Sequence, residues 1–380
     1  MNLQSRLIHG IDEISPVAWN ALTQKNHPFL RHEFLGALER THCLGAHTGW
    51  VPCHLAVFEN GNQLTAAVPL YLKHNSFGEF VFDWAWADAY RRAGIPYYPK
   101  LVAAAPFTPA TSPKVLIAPG QDSEKRLEEV VDTAIEMAQS LAVSSLHWLF
   151  TPTRQLTNRH GLLTRMGCQF HWTNRNYRNF DHFLSHLKSR KRKQIRRERR
   201  QVRDAGIELE RIAGSDVTPE QWDDFHELYY GTFVKYGNYP ALTLAFFKDV
   251  ARTMGEQILL VLARLNQEVV AAAYFLVGDE TLYGRYWGCR KEFPALHFEV
   301  CYYQGIEYCI ENRIARFEPG AQGEHKISRG FLPTPTWSSH WIADPRFRSA
   351  ISAFLGREAG QMRAYMNELQ CHSPFSEYPT

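Results

Sequence analysis

The chain has 380 residues, enough for two domains of ordinary size, and its 45% hydrophobic content is that of a globular protein. A formal net charge of +3 means that any basic character must be local, and no window approaches ~18 uninterrupted apolar residues, which excludes a membrane-spanning helix. The seven cysteines are scattered with no C-x-x-C pair, and the start MNLQSRLIHGIDEIS carries no apolar signal core, so reduced thiols and a cytoplasmic location are expected.

In chain order, the first clear element is a hairpin. His54 to Phe58 and Leu64 to Leu72 flank a turn at Glu59-Asn60-Gly61-Asn62, and Asn-Gly is a favoured tight-turn pair. An aromatic strand, Phe80 to Trp86, is expected next. Residues 90 to 120 hold Pro96, Pro99, Pro106, Pro109, Pro113 and Pro119, too many for a helix or a central strand. Ser123 to Leu141 reads as a helix, with Leu127, Val130, Val131, Ala134, Ile135 and Ala138 at the spacing of one helical face. Ser145 to Phe150 follows as a strand.

Lys188 to Arg203, KSRKRKQIRRERRQVR, is the densest charge run. Ten of its sixteen residues are Lys or Arg, against one acid, Glu198. Leu184, Leu187, Ile195 and Val202 give it a narrow apolar seam, so most of the helix faces water. Like charges four residues apart repel, and an anionic partner would offset the repulsion. Arg190, Lys193, Arg196 and Arg197 are therefore candidate phosphate contacts, with Lys191 and Arg200 beside them. A polyanion such as RNA would make binding strongly salt-dependent.

The second half repeats the order of the first. Ile258 to Ala263 and Val269 to Val277 form a hairpin, with an Ala-Ala centre at Ala271-Ala272-Ala273 like Ala66-Ala67 in the first. An aromatic strand, Tyr283 to Trp287, is followed by a helix from Phe298 to Asn312. The chain then enters FEPGAQGEHKISRGF, Phe317 to Phe331. Glu318, Glu324, His325, Lys326 and Arg329 lie within twelve residues there, and Gly320, Gly323 and Gly330 keep the backbone open to a ligand. Strand ends of this kind are where α/β folds place chemistry. A last helix starts at Pro345, with Asp344 as its N-cap.

This order and its charged, glycine-rich strand end resemble the FemAB-like proteins of the acyl-CoA N-acyltransferase (GNAT-like) superfamily. The resemblance covers roughly residues 28 to 372. It implies an α/β fold of two tandem GNAT-like acyltransferase domains with mixed sheets, here placed at 1–175 and 176–343, with a C-terminal helix, 344–380, packing back on them. It also implies an N-acyltransferase that moves an acyl or aminoacyl group from acyl-CoA or aminoacyl-tRNA to an amine. That amine is a small metabolite or a peptidoglycan precursor. No bound cofactor or metal is expected, and tRNA contact falls to Lys188–Arg203.

Acyl transfer to an amine needs a neutral amine and a stabilised oxyanion. By position Lys326 matches the lysine of the family's strand-end motif. Glu318, Glu324 and His325 are the candidate proton acceptors, and only His325 titrates near neutral pH by default. Arg285, Tyr286, Trp287, Glu299 and Arg329 are candidate substrate contacts. The Q/R-x-x-G-x-G/A loop that cradles pyrophosphate in ordinary acetyl-CoA enzymes is absent, and Pro294-Ala295-Leu296-His297 stands in its place. Hydrolase, metalloprotease, P-loop and zinc motifs are absent as well. The rival reading is a non-catalytic RNA- or nucleotide-binding protein on a degenerate acyltransferase fold, which would need the basic helix but not Lys326.

Overall fold

The computed structural model describes residues 3–23, 27–61, 63–120, 122–152, 156, 161–321 and 323–376. The chain divides into two compact units, Met1–Gly167 with Pro335–Ala364, and Cys168–Thr334 with Tyr365–Thr380. The division differs from 175/176 and 343/344 because two long strands, Leu163–Thr173 and Leu332–Ile342, each run from one unit into the other.

In the first unit, Leu3–Ile8, His54–Glu59, Gln63–Val68 and Leu116–Ile117 form an antiparallel sheet in that order. The turn residues Asn60 and Gly61 both have positive φ, as a tight hairpin turn requires, while Asn62 lies outside the described residues. A second ladder runs Trp50–Pro52, Leu70–Lys73, Lys100–Ala103 and Ser145–Thr151, and its last pair is parallel. The helix Ser123–Ser140 makes that crossover. Asp122 caps it, accepting from the Lys125 amide at 3.3 Å, and Val130, Val131, Ala134 and Ala138 pack against Leu55, Val68 and Leu146. At the start of the last helix, Pro345–Cys371, Asp344 accepts from the Arg346 amide, and Ile351 and Leu355 pack with Trp86 and Tyr90.

Here the aromatic strand expected at Phe80–Trp86 gives way to a loop and a helix, Trp84–Arg92. Phe80 has φ +60, outside the extended region, and Glu79 and Asp83 turn inward to the buried Lys100. Alternating aromatic and small residues mimicked a strand; a buried charge decided the backbone.

In the second unit, Glu208–Ala213, Ile258–Leu265, Glu268–Val277 and Thr281–Cys289 are antiparallel neighbours. Arg316–Glu318 then pairs parallel with Thr281–Tyr283 and antiparallel with Trp172–Thr173. The hairpin turn at Asn266-Gln267 has both residues at positive φ. Helices Pro219–Lys235 and Leu244–Met254 lie between the first two strands in sequence. The helix expected at Phe298–Asn312 starts at Leu296 and carries a π-helical turn, Glu299–Tyr303, before Gln304–Glu311. Such turns are rare and cluster at functional sites. Val261, Ala273, Leu282, Ile306, Phe317 and Phe331 belong to the core beneath. Among the described residues no helix is long and apolar enough to cross a membrane.

Candidate active site

The parallel pairing of Thr281–Tyr283 with Arg316–Glu318 ends at Tyr283 and Glu318. Where it ends, a cavity of ≈ 140 Å³ opens, lined by Gly284, Arg285, Tyr286 and Trp287 from one strand and Pro319 just past the other. The register slips between Tyr274 and Phe275, which face Tyr286 and Gly284, so Arg285 is the extra residue of a bulge. A bulge bends its strand and re-aims side chains, and this one sits on the cavity wall. Gly284 faces Pro319, whose Cα would lie 3.2 Å from an added Cβ, so a side chain there would crowd the opening.

The remaining wall comes from Tyr274 and from the π-helical segment: His297, Cys301 and Tyr302. Cys301 and Tyr302 both belong to the π turn. Tyr274 is buried, and among the described residues its hydroxyl has no hydrogen-bond partner. The His297 ring lies 5.1 Å from Trp287 and 5.2 Å from Tyr302, edge-on to both. Burial pushes His297 down to about 4, with the nearby His325, Lys326 and Arg329 adding to it, so it is neutral at pH 7. Tyr302 joins the cavity to the charged segment, since its hydroxyl is 3.0 Å from His325 Nε2. Burial, then Arg329 and Lys326, lower His325 below the ordinary histidine value. It too is neutral at pH 7 and able to accept a proton.

The strand-end residues divide by where they point. Lys326 is buried on a 3-10 turn, Glu324–Arg329, and its Nζ donates to the carbonyls of Gly320 at 2.9 Å and Pro319 at 3.3 Å. It thus holds the turn that supplies Pro319 and is not itself on the cavity wall. With only dipoles to meet it, burial lowers Lys326 to about 8. Glu318 is buried, 4.0 Å from His171 Nδ1. Glu324 is exposed and accepts from the Tyr365 hydroxyl at 2.7 Å, away from the wall. Arg329 is fully engaged: it donates to Glu198 at 2.8 Å, to Tyr303 at 3.1 Å and to the His325 carbonyl at 2.7 Å, and stacks on Phe298. It ties the basic helix to the strand end. Glu299 is buried and meets Arg199 at 3.1 Å and Gln304 at 2.9 Å. It lines a different groove, of ≈ 570 Å³, with Arg196, Arg199, Arg200 and Arg203. The aromatic cavity therefore gathers Arg285, Tyr286 and Trp287 and reaches His325 through Tyr302. Sequence reasoning missed Tyr274, His297, Cys301 and Tyr302. The Pro294–His297 segment, already conspicuous for what it replaced, was the one signal that pointed to any of them.

The basic helix is Ser189–Asp204, with Ile195 and Val202 buried. Several of its cations are internally paired: Arg196 with Asp181 at 3.1 Å, Arg199 with Glu299 and Glu307, and Lys191 with Ser328. Arg190, Lys193, Arg197 and Arg200 are exposed and, among the described residues, make no hydrogen bond or ion pair. Their spacing of three, four and three puts them on one face, over roughly 15 Å of helix.

Two mixed α/β units, with a cavity where a parallel strand pairing ends, are the arrangement expected of an acyl- or aminoacyltransferase. The chain belongs to the FemAB-like family, described as peptidoglycan biosynthesis/recognition, whose model matches residues 10–377. Among solved structures it is similar to FemX, with a TM-score of 0.56 and 13% identity over 93% of this chain and 100% of that one. It is also similar to the C-terminal domain of a candidate lysylphosphatidylglycerol synthetase from Agrobacterium fabrum (TM-score 0.55, 9% identity, 89% and 94% covered). L-PGS from Bacillus licheniformis follows (TM-score 0.52, 9% identity, 90% and 97% covered). No relative among the curated proteins matches it.

Proposed function

We propose that this chain transfers an aminoacyl group from aminoacyl-tRNA to an amine of a peptidoglycan precursor, in the cavity bounded by Arg285–Trp287, Tyr302 and Pro319. The observation that carries the reading is the cavity at the splayed strand pair, with a proton path from Tyr302 to His325. A volume of ≈ 140 Å³ equals about five water molecules and suits a small acyl group. The amine nitrogen forms the new C–N bond and the ester C–O bond to the ribose breaks. The proton lost by the amine passes through Tyr302 and His325 to the departing oxygen. The backbone amides of the bulge are the donors for the oxyanion. Lys326 acts by holding the Pro319–Gly320 turn in place.

The unpaired face Arg190, Lys193, Arg197 and Arg200 favours tRNA over coenzyme A as donor, because a polyanion can engage all four cations. The sequence at the helix start supports this: Pro294-Ala295-Leu296-His297 lacks the glycines that let a backbone close round a pyrophosphate. A cytoplasmic site of action goes with this donor. The test is a donor screen with radiolabelled aminoacyl-tRNAs and acyl-CoAs against a nucleotide-linked peptidoglycan precursor. Label should move to the precursor from tRNA. Transfer from an acyl-CoA alone would replace this reading with the thioester one.

A further inference from the structure

The loop between the strand Leu70–Lys73 and the helix Trp84–Arg92 shows four aromatic side chains to solvent within eight residues. Phe77 is 66% exposed, Phe80 39%, Phe82 56% and Trp84 43%. Isolated exposed apolar residues are ordinary, but a cluster marks an interaction surface. The backbone beneath is tightly held. Lys73 Nζ donates to Asn75 Oδ1 at 3.2 Å and to the Phe77 carbonyl at 3.1 Å, and Trp50 Nε1 donates to the same carbonyl at 3.0 Å. The buried Lys100 donates to Ser76 at 3.0 Å, to Glu79 at 2.9 Å and to Asp83, and Tyr97 donates to Asp83 as well. Arg165 donates to the Phe82 carbonyl at 2.7 Å. Phe80 is kept at φ +60, a strained conformation for a bulky residue that persists only when its surroundings impose it. Phe77 and Trp84 brace each other, ring centroids 5.2 Å apart. A buried ionic scaffold therefore fixes a loop whose apolar side chains face water.

The charge beside the loop says what covers it. Trp84, Asp88, Arg91 and Arg92 share one face of the helix by their spacing. Arg91 and Arg92 are exposed, and among the described residues both pair only with Asp88, which leaves that face with net positive charge. They stand roughly 10–12 Å along the helix from Trp84. An aromatic tip with a cationic collar at that height matches a bilayer surface, where rings settle at the boundary of headgroups and acyl chains and guanidinium groups meet phosphates. We propose that Phe77, Phe80, Phe82 and Trp84 form a docking surface for an anionic lipid bilayer, with Arg91 and Arg92 at the headgroups.

The test is co-sedimentation of the full chain with vesicles of phosphatidylcholine mixed with phosphatidylglycerol, and with vesicles of phosphatidylcholine alone. Binding to the mixed vesicles should exceed binding to the neutral ones. Phe77→Ala with Phe82→Ala should weaken it at least about tenfold, given the apolar area removed. Arg91→Gln with Arg92→Gln should erase the preference for phosphatidylglycerol. Both pairs are exposed, and an unchanged thermal melt confirms that each variant is folded. The basic helix also attracts anionic vesicles, so the aromatic variant, which keeps every Lys and Arg, discriminates. If it binds as well as the parent chain, or if the parent chain binds no vesicle, the proposal falls. It falls equally if the patch instead supports self-association in sedimentation equilibrium that the aromatic substitutions abolish, since a second copy would then be its occupant.

Discussion

The first unit buries Lys100 and the second buries Lys326, and these two are met in opposite ways. Lys100 in the first unit faces Glu79 and Asp83. Burial alone would lower it, but the two carboxylates outweigh burial and hold it above its ordinary value. Lys326 in the second unit faces two carbonyls and no carboxylate, and burial brings it down to about 8. A counter-charge fixes a loop permanently. Dipoles hold a turn with a charge that stays costly, close to a cavity. The surroundings follow the same division: the first unit has a loop and helix where the second has an aromatic strand with a bulge.

The sharpest way to break the comparison is to remove each lysine. Lys100→Met leaves Glu79 and Asp83 buried without their partner and should cost about 3–5 kcal/mol of stability, read from urea denaturation. Asp83→Asn added to it should recover part of that loss. Lys326→Met leaves no charge behind, so it should cost far less stability. Its effect should appear in catalysis instead, as a loss of roughly 100-fold in kcat from displacing the Pro319 wall. Equal destabilisation by the two substitutions would erase the distinction drawn here.

A pH series sharpens it further. Lys326 has its folded pKa lowered to about 8 from 10.5, so the folded state binds this proton less tightly than the unfolded chain. Its penalty is full below pH 8 and is relieved as the pH rises toward 10.5. Lys326→Met should therefore flatten a rise in stability across that window. Lys100, raised, contributes in the opposite sense: its share of stability is full below the ordinary lysine value and is lost as pH rises from there through its folded value.

The hairpins, the basic helix and the strand-end cluster were legible in the sequence, because period-two alternation, turn residues and charge density are local signals. The partner of each charge was not. Glu198, the one acid in the basic run, is buried and bonds Arg329 across 131 positions of sequence. That pairing ties Arg329 to the basic helix. Glu299 reads as a substrate contact by position, yet Arg199 claims it. Tyr302 and Cys301 look like core residues of an amphipathic helix, yet both lie on the π turn that lines the cavity.

Smaller effects come from the proton path and the cation face. His325→Gln should lower kcat/KM about tenfold or more and remove its acid limb, which falls below the ordinary histidine pKa in the parent. An unchanged limb would assign the base elsewhere. If the four unpaired cations each meet a phosphate, a slope of about −0.7 per contact predicts roughly a 50-fold loss of tRNA affinity between about 50 and 200 mM salt. Arg197→Gln with Arg200→Gln should halve the slope in a filter-binding titration. Arg196→Gln, which removes a cation already paired with Asp181, should change it less.

The most direct measurement is single-turnover transfer from radiolabelled aminoacyl-tRNA to a nucleotide-linked peptidoglycan precursor, comparing the parent chain with Tyr302→Phe. Loss of one hydroxyl between the cavity and His325 should slow transfer by about two orders of magnitude while tRNA binding is unchanged. Transfer at the parent rate by Tyr302→Phe would contradict the placement of the chemistry in this cavity.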